Sequence, residues 1–217
     1  MLTVDAREQM IEQQVRAWDV LDQHVLEIFR RVPREHFVPG AQRFLAFADV
    51  EVPLPEGQNM LRPSVVGRLL QALALQGKES VLEIGAGSGF VTACLAAMSA
   101  RVTAWEVFPE LAALARNNLN TLRVANAEVA AVDAITQIAD GKRYDAIAAT
   151  ASMPVYDDRF ARQLELGGRL FVVVGTAPVM EARLIRRTGE NSWEVQSLFE
   201  TVIDPLVNAI RPPGFTF

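Results

Sequence analysis

With one cysteine, two histidines and no long apolar run, this 217-residue chain lacks the materials of several functions. A lone cysteine, Cys94, rules out an internal disulfide framework and fits a reducing cytoplasm, the compartment expected for the protein. Its place on a predicted helix marks it as a small core residue rather than a nucleophile. His24 and His36 stand twelve residues apart, so no metal-ligand cluster is visible and no metal is expected. Neither Ser64 nor Ser152 has a neighbouring histidine to activate it. No segment approaches the ~20 apolar residues that cross a bilayer. The start, charged by Asp5, lacks the apolar stretch of a signal peptide, so no membrane partner is expected. A basic surplus is missing too. The 21 Lys and Arg face 26 Asp and Glu, and the net charge of −5 argues against a broad nucleic-acid-binding face.

What is present is an ordinary balance for a soluble protein, half apolar and 22% charged, enough for one generous domain with a real core. Its most informative stretch is 81–89. Ser80, Val81, Leu82 and Ile84 predict a short buried strand, glycines follow at 85, 87 and 89, and Phe90, Val91, Cys94, Leu95 and Met98 fall at helix spacings. A strand, a glycine loop and a helix in this order let the backbone approach a ligand closely. The dinucleotide fingerprint needs its third glycine five residues after the first, but that position holds Phe90. Glu83, two residues before Gly85, is a poor neighbour for a pyrophosphate and a better one for a cation. Glu83-x-Gly85-x-Gly87-x-Gly89 resembles motif I of the S-adenosylmethionine (SAM)-dependent methyltransferases, whose cofactor carries a sulfonium and an ammonium but no phosphate.

Along the chain, residues 5–17 predict an amphipathic helix on Met10, Ile11 and Val15, and Asp19 or Asp22 caps a second through Phe29. Pro33 and Pro39 predict an extended stretch, and 47–63 an ordered but irregular, functional segment. Ser64 is the expected N-cap of a helix that Gly77 closes. Strands follow at 101–106, 127–133, 144–150 and 169–175, with helices from Pro109 and over 160–164 and a short helical stretch to Ala139. The strand at 169–175, the most apolar, is expected to be central. Two antiparallel strands, 180–186 and 193–203, and a proline-rich tail complete the chain. Alternating strands and helices mean α/β with a mostly parallel twisted sheet, a Rossmann-like arrangement with helices on both faces.

In such a sheet ligands bind beyond the carboxyl ends of the strands, which places Gly85–Gly89, Glu106, Asp133 and Thr150 on one edge. Glu106, 21 residues after Gly85, is where an acid accepts hydrogen bonds from a ribose diol. Asp133 is open to two roles, acceptor for an adenine amino group or helix N-cap.

Together with Val32-Pro33-Arg34-Glu35-His36-Phe37-Val38-Pro39, Pro53-Leu54-Pro55-Glu56-Gly57-Gln58 and the Leu166-Gly167-Gly168 turn, these motifs make the chain resemble the protein-L-isoaspartate O-methyltransferases over roughly residues 8–210. The resemblance implies a single methyltransferase domain over 1–217, with an N-terminal helical extension and acceptor-side loop at 1–63 and a SAM-binding core at 64–217. It implies SAM as cofactor, held by Glu83, Gly85, Ala86, Gly87, Gly89, Glu106, Val107, Asp133 and Thr150. The implied partner is a peptide or protein with an L-isoaspartyl residue, and the implied biological sense is protein repair. Asn59, Leu61 and Arg62 fall in the acceptor loop, where Leu61 replaces the family's active-site serine and Asn59 its threonine. Arg62 or Arg34 is a candidate carboxylate clamp, against the plainer reading of a solvated charge. A SAM-dependent methyltransferase with another acceptor, or a SAM-binding protein without catalysis, stays open on the Leu61 substitution. Oligomeric state is not legible.

Overall fold

The computed structural model describes residues 2–138 and 141–211. Helix α1 (Leu2–Met10) runs on through a π-helical turn at Ile11–Val15 and a 3-10 turn at Arg16–Trp18, burying Met10, Ile11 and Val15. Asp22 is the cap of α2 (Gln23–Arg31), accepting from the His24 amide at 2.8 Å. Between the two prolines the chain is not extended but makes a one-turn helix, α3 (Arg34–Phe37). The Pro33 carbonyl accepts from the His36 amide, and proline suits a helix start because its missing N–H has no role there. That turn directs Arg34 and Phe37 inward, both wholly buried.

The segment expected to be irregular folds as a small antiparallel hairpin, β1 (Val52–Pro53) with β2 (Asn59–Met60). Its turn takes left-handed backbone at Glu56 and Gly57, and Val52, Leu54, Met60 and Leu61 fasten it to the core. Helix α4 (Pro63–Leu73) begins two residues earlier than expected, with Arg62 as its N-cap residue and Pro63 at its first position. Ser64 is therefore inside the first turn, donating from its amide and hydroxyl to Asp49, both at 2.8 Å. The helix stops at Ala74, left-handed at φ 45°, before Gly77 is reached.

Next come β3 (Ser80–Ile84), α5 (Phe90–Met98), β4 (Arg101–Glu106), α6 (Pro109–Thr121) and β5 (Ala127–Ala131). They are followed by α7 (Ala134–Gln137), β6 (Tyr144–Met153), α8 (Asp158–Arg162), β7 (Leu164–Thr176), β8 (Val179–Gly189) and β9 (Ser192–Glu200). The sheet order is β5-β4-β3-β6-β7-β8-β9, parallel through β7 and antiparallel beyond it. The middle strand is thus β6, and the more apolar β7 sits one place over. β5 ends before Asp133, and the family-like glycine turn is a bulge within β7, where pairing jumps from Leu164 to Arg169. Ala139 and the proline-rich end at 212–217 lie outside the described residues.

Strand alternation divides the core. Val81, Ala146, Ala148, Phe171 and Val173 face α4 and α5, while Leu82, Ile84, Ile147, Leu170 and Val172 face α7 and α8. Glu83 shares the face of Val81 and so points beneath α5, toward Thr92. No helix among the described residues is long and apolar enough to cross a membrane.

Candidate active site

A crevice runs along the carboxyl ends of β3, β4 and β6, in three connected sections. The first is an apolar slot between Trp105, Val107, Val132, Ile135, Leu206 and Val207. A middle section joins Gly85, Gly87, Glu106 and Thr150 to Glu51 and Asp204. The last is a small space of about 40 Å³ under the hairpin, lined by Arg34, Asn59, Leu61, Gly85 to Ser88, and Phe90.

The glycine loop is held from both sides. Gly85 donates to the Trp105 carbonyl at 2.8 Å, and Thr150 Oγ1 lies 2.8 and 2.6 Å from the carbonyls of Ile84 and Gly85, to which it donates. A Cβ at Gly85 (φ +94°) would stand 2.5 Å from Thr150 Oγ1. Glu106 bridges the loop to the start of α6: its Oε2 accepts from the Gly87 amide at 2.8 Å and its Oε1 from the Phe108 amide at 3.1 Å. Carboxylate oxygens have further lone pairs for hydroxyl donors. Ala86 lines the small end and Val107 the apolar slot.

Asp133 also faces the slot, and it caps α7, accepting from the Ile135 amide at 2.9 Å and from the Asn208 amide group at 2.9 Å. Glu83 lines none of the three sections. Its carboxyl is fully buried, Oε2 taking the Thr92 hydroxyl and Oε1 without a partner. Burial pushes it up to about 8, with the neighbouring Glu106 acting in the same direction, so it is mostly neutral at pH 7. The electrostatic argument from a charged Glu83 is corrected accordingly: the acids on the crevice wall are Glu51, Glu106, Asp133 and Asp204.

Those four carboxylates face one guanidinium, that of Arg34, among the described residues lining the three sections. Such a wall disfavours a diphosphate and suits a nucleoside bearing positive charge. Cys94 lies buried below it, and burial pushes its thiol up, away from nucleophilic use.

A separate cavity of about 500 Å³ adjoins the middle section, sharing Glu51 and Asp204 with it. Ser152, Pro154, Met180, Ile203 and Arg211 are among its lining residues. Burial raises Glu51, Asp204 raises it further and Arg62 opposes them. Of the acceptor-loop residues, Asn59 donates to Asp204 Oδ2 at 2.7 Å and Leu61 forms apolar wall. Arg62 lines none of these cavities. Arg34, expected as a solvated charge, is buried. Glu51, Asp204 and Arg211 were not predicted because the hairpin and the segment after β9, 145 residues apart at Asn59 and Asp204, converge here, and no local pattern announces it. Ser152 fastens that segment: its amide donates to the Asp204 carbonyl and its carbonyl accepts from the Leu206 amide, both at 2.8 Å.

The chain is similar to known proteins. A family model described as protein-L-isoaspartate(D-aspartate) O-methyltransferase matches residues 5–210. A Marinobacter nauticus relative called protein-L-isoaspartate O-methyltransferase 2 is 36% identical over 204 residues, covering 94% of this chain and 93% of its own. A Rhodopseudomonas palustris relative, protein-L-isoaspartate O-methyltransferase 1, is 38% identical over 203 residues, covering 93% and 82%. Among solved structures, a Plasmodium falciparum chain described as such an enzyme, in complex with S-adenosyl-L-homocysteine, superposes with a TM-score of 0.78 at 18% identity, covering 93% of this chain and 98% of that one. A second structure of that name superposes at 0.81 and 20% identity, over 94% and 67%. At these identities the two structures speak to the fold, a Rossmann-like methyltransferase architecture.

Proposed function

Because the chain belongs to the protein-L-isoaspartate O-methyltransferase family, we propose that it transfers a methyl group from SAM to the carboxylate of L-isoaspartyl residues in damaged proteins. The observation that carries this reading is the junction of the acid-walled crevice with the 500 Å³ cavity at Glu51 and Asp204. One compartment suits a cationic nucleoside, the other a peptide segment, and they meet where a group would pass between them.

When bound, SAM supplies a methyl group activated by its sulfonium. Glu106 holds the ribose diol, the apolar slot beside Asp133 takes the adenine, and Gly85 to Gly89 bring backbone close without side chains. The acceptor needs no general base, since an aspartyl-type carboxyl with a pKa of about 3.9 is ionised at neutral pH. The protein's task is alignment and removal of water. Leu61 and Met60 provide apolar wall for the second part of that task. Arg211, an exposed cation on the cavity lining, offsets Glu51 and Asp204 when a third carboxylate enters.

The hairpin and the segment around Asp204 are the acceptor side of a single domain whose cofactor contacts come mainly from Gly85 to Thr150. This assignment is supported by one apolar cluster that includes both Met10 of the N-terminal extension and Ile203 after β9. A cytoplasmic setting agrees with the free, buried Cys94. Methyl incorporation into an isoaspartyl peptide, with the aspartyl peptide as control, tests the proposal, and equal or absent labelling of the two overturns it. The acid pair at the junction, together with Leu61, favours one second reading, methyl transfer to an acceptor other than a carboxylate. Labelling of neither peptide by a protein that still binds SAM would select it.

A further inference from the structure

Arg34 is a fully buried cation with no ion-pair partner among the described residues. Its Nε donates to the Ala46 carbonyl and its Nη2 to the Leu61 carbonyl, both at 3.1 Å, and its guanidinium lies 5.0 Å from the centre of the Phe90 ring. Nη1 has no hydrogen-bond partner among the described residues. No carboxylate among the described residues comes within ion-pair distance. Asp49, which favours the charge from farther off, spends both oxygens on Ser64, and Glu83 is mostly neutral. Burial lowers the Arg34 pKa to about 10, leaving it charged at pH 7. A buried charge with an unpaired donor is costly, and proteins rarely leave one without a use.

The place of that donor indicates the use. Arg34 lines the small end of the crevice, with Gly85 to Ser88 opposite and the start of α5 alongside. No side chain caps α5, so its first amides and its dipole add positive potential at the same spot. The apolar slot lies at the other end, and Glu106 stands between. A nucleoside anchored at Glu106 with its base in the slot therefore extends its other substituent toward Arg34.

Resting on the reading of SAM as cofactor, we propose that Arg34 is a cofactor-binding residue whose Nη1 pairs with the α-carboxylate of SAM's methionyl end. The ammonium of that end then faces the Glu51 and Asp204 side. Arg34 also holds the Leu61 carbonyl, so it couples the cofactor's tail to the acceptor-side hairpin.

Titration calorimetry with SAM and with decarboxylated SAM, which differs by that one group, tests the assignment without any turnover. The wild-type protein is expected to prefer SAM by about 10- to 100-fold, the range of a charge-assisted hydrogen bond. Arg34→Gln is expected to lose most of that preference, and Arg34→Lys to keep part of it. Equal affinity of the wild type for the two ligands overturns the proposal whether or not either variant folds. A Gln variant that weakens both ligands by the same factor overturns it too, leaving a structural arginine with a water in the space. Absence of SAM binding altogether is a different result, one that removes the cofactor reading itself.

Discussion

Asn59 and Asp204, 145 residues apart in the chain, are joined by a 2.7 Å hydrogen bond that ties the hairpin to the segment after β9. The bond lies at the boundary between the crevice proposed for the cofactor and the cavity proposed for the acceptor. Asp204 has two effects there: its oxygen holds Asn59, and its charge repels an incoming carboxylate. Asp204→Asn keeps an acceptor for Asn59 and removes the charge, so KM for an isoaspartyl peptide is expected to fall about threefold or more, within the range of exposed charge pairs. Asn59→Leu leaves the charge and breaks the tie, so KM is expected to rise. SAM affinity should change less than either KM, and steady-state kinetics beside calorimetry separates the two.

Gly85 meets Thr150 too closely for any side chain. Gly85→Ala forces its methyl against Thr150 Oγ1 and places an L-residue at φ +94°, a combination expected to cost about 1–3 kcal/mol. Urea denaturation should show the loss. Removing the hydroxyl with Thr150→Ala in the same background should recover part of it, because the backbone strain remains. Full recovery would mean that the clash alone matters.

Glu83 makes stability depend on pH in a definite direction. Its folded pKa, about 8, lies above the unfolded value near 4.5, so the folded state binds the extra proton. Its contribution is therefore complete below about pH 4.5, falls as pH rises through 8 and is flat beyond. Glu83→Gln should remove that slope, worth on the order of a few kcal/mol across the interval. Denaturant midpoints at pH 5, 7 and 9 for both proteins decide it, and parallel profiles would contradict a neutral Glu83.

Leu61, which by the sequence resemblance stands where the family carries a serine, forms apolar wall. Leu61→Ser is expected to lower stability by about 2 kcal/mol or more, the cost of emptying a buried leucine site. Its kcat/KM for an isoaspartyl peptide is expected to rise severalfold through the restored hydroxyl. An unchanged kcat/KM in a folded variant would show that this position does not limit the acceptor.

Much was legible in the linear chain because short-range physics decides it. The span of α5 and the limits of β4 follow from apolar period, and the end of β3 and start of α6 from a glycine or proline at the boundary. The place of Glu106 at the end of its strand, beside the glycine loop, was legible as well, since one crossover fixes its distance from Gly85. The misjudged details have a different origin. Glu83 looked like a charge on the crevice wall until strand alternation turned it under α5, where loss of water neutralises it. Arg34 looked solvated until a one-turn helix between prolines carried it inside. The cavity proposed for the acceptor could not be read at all, because Glu51, Asp204 and Arg211 become neighbours through the stacking of distant segments on β6 and β7.

The amino-acid order thus determined the α/β alternation, the glycine loop and the class of cofactor, since each is set within a few tens of residues by periodicity and backbone freedom. Only the tertiary structure decided which charges see water and which see one another. Burial and through-space distance govern ionisation, and neither is a property of neighbours along the chain.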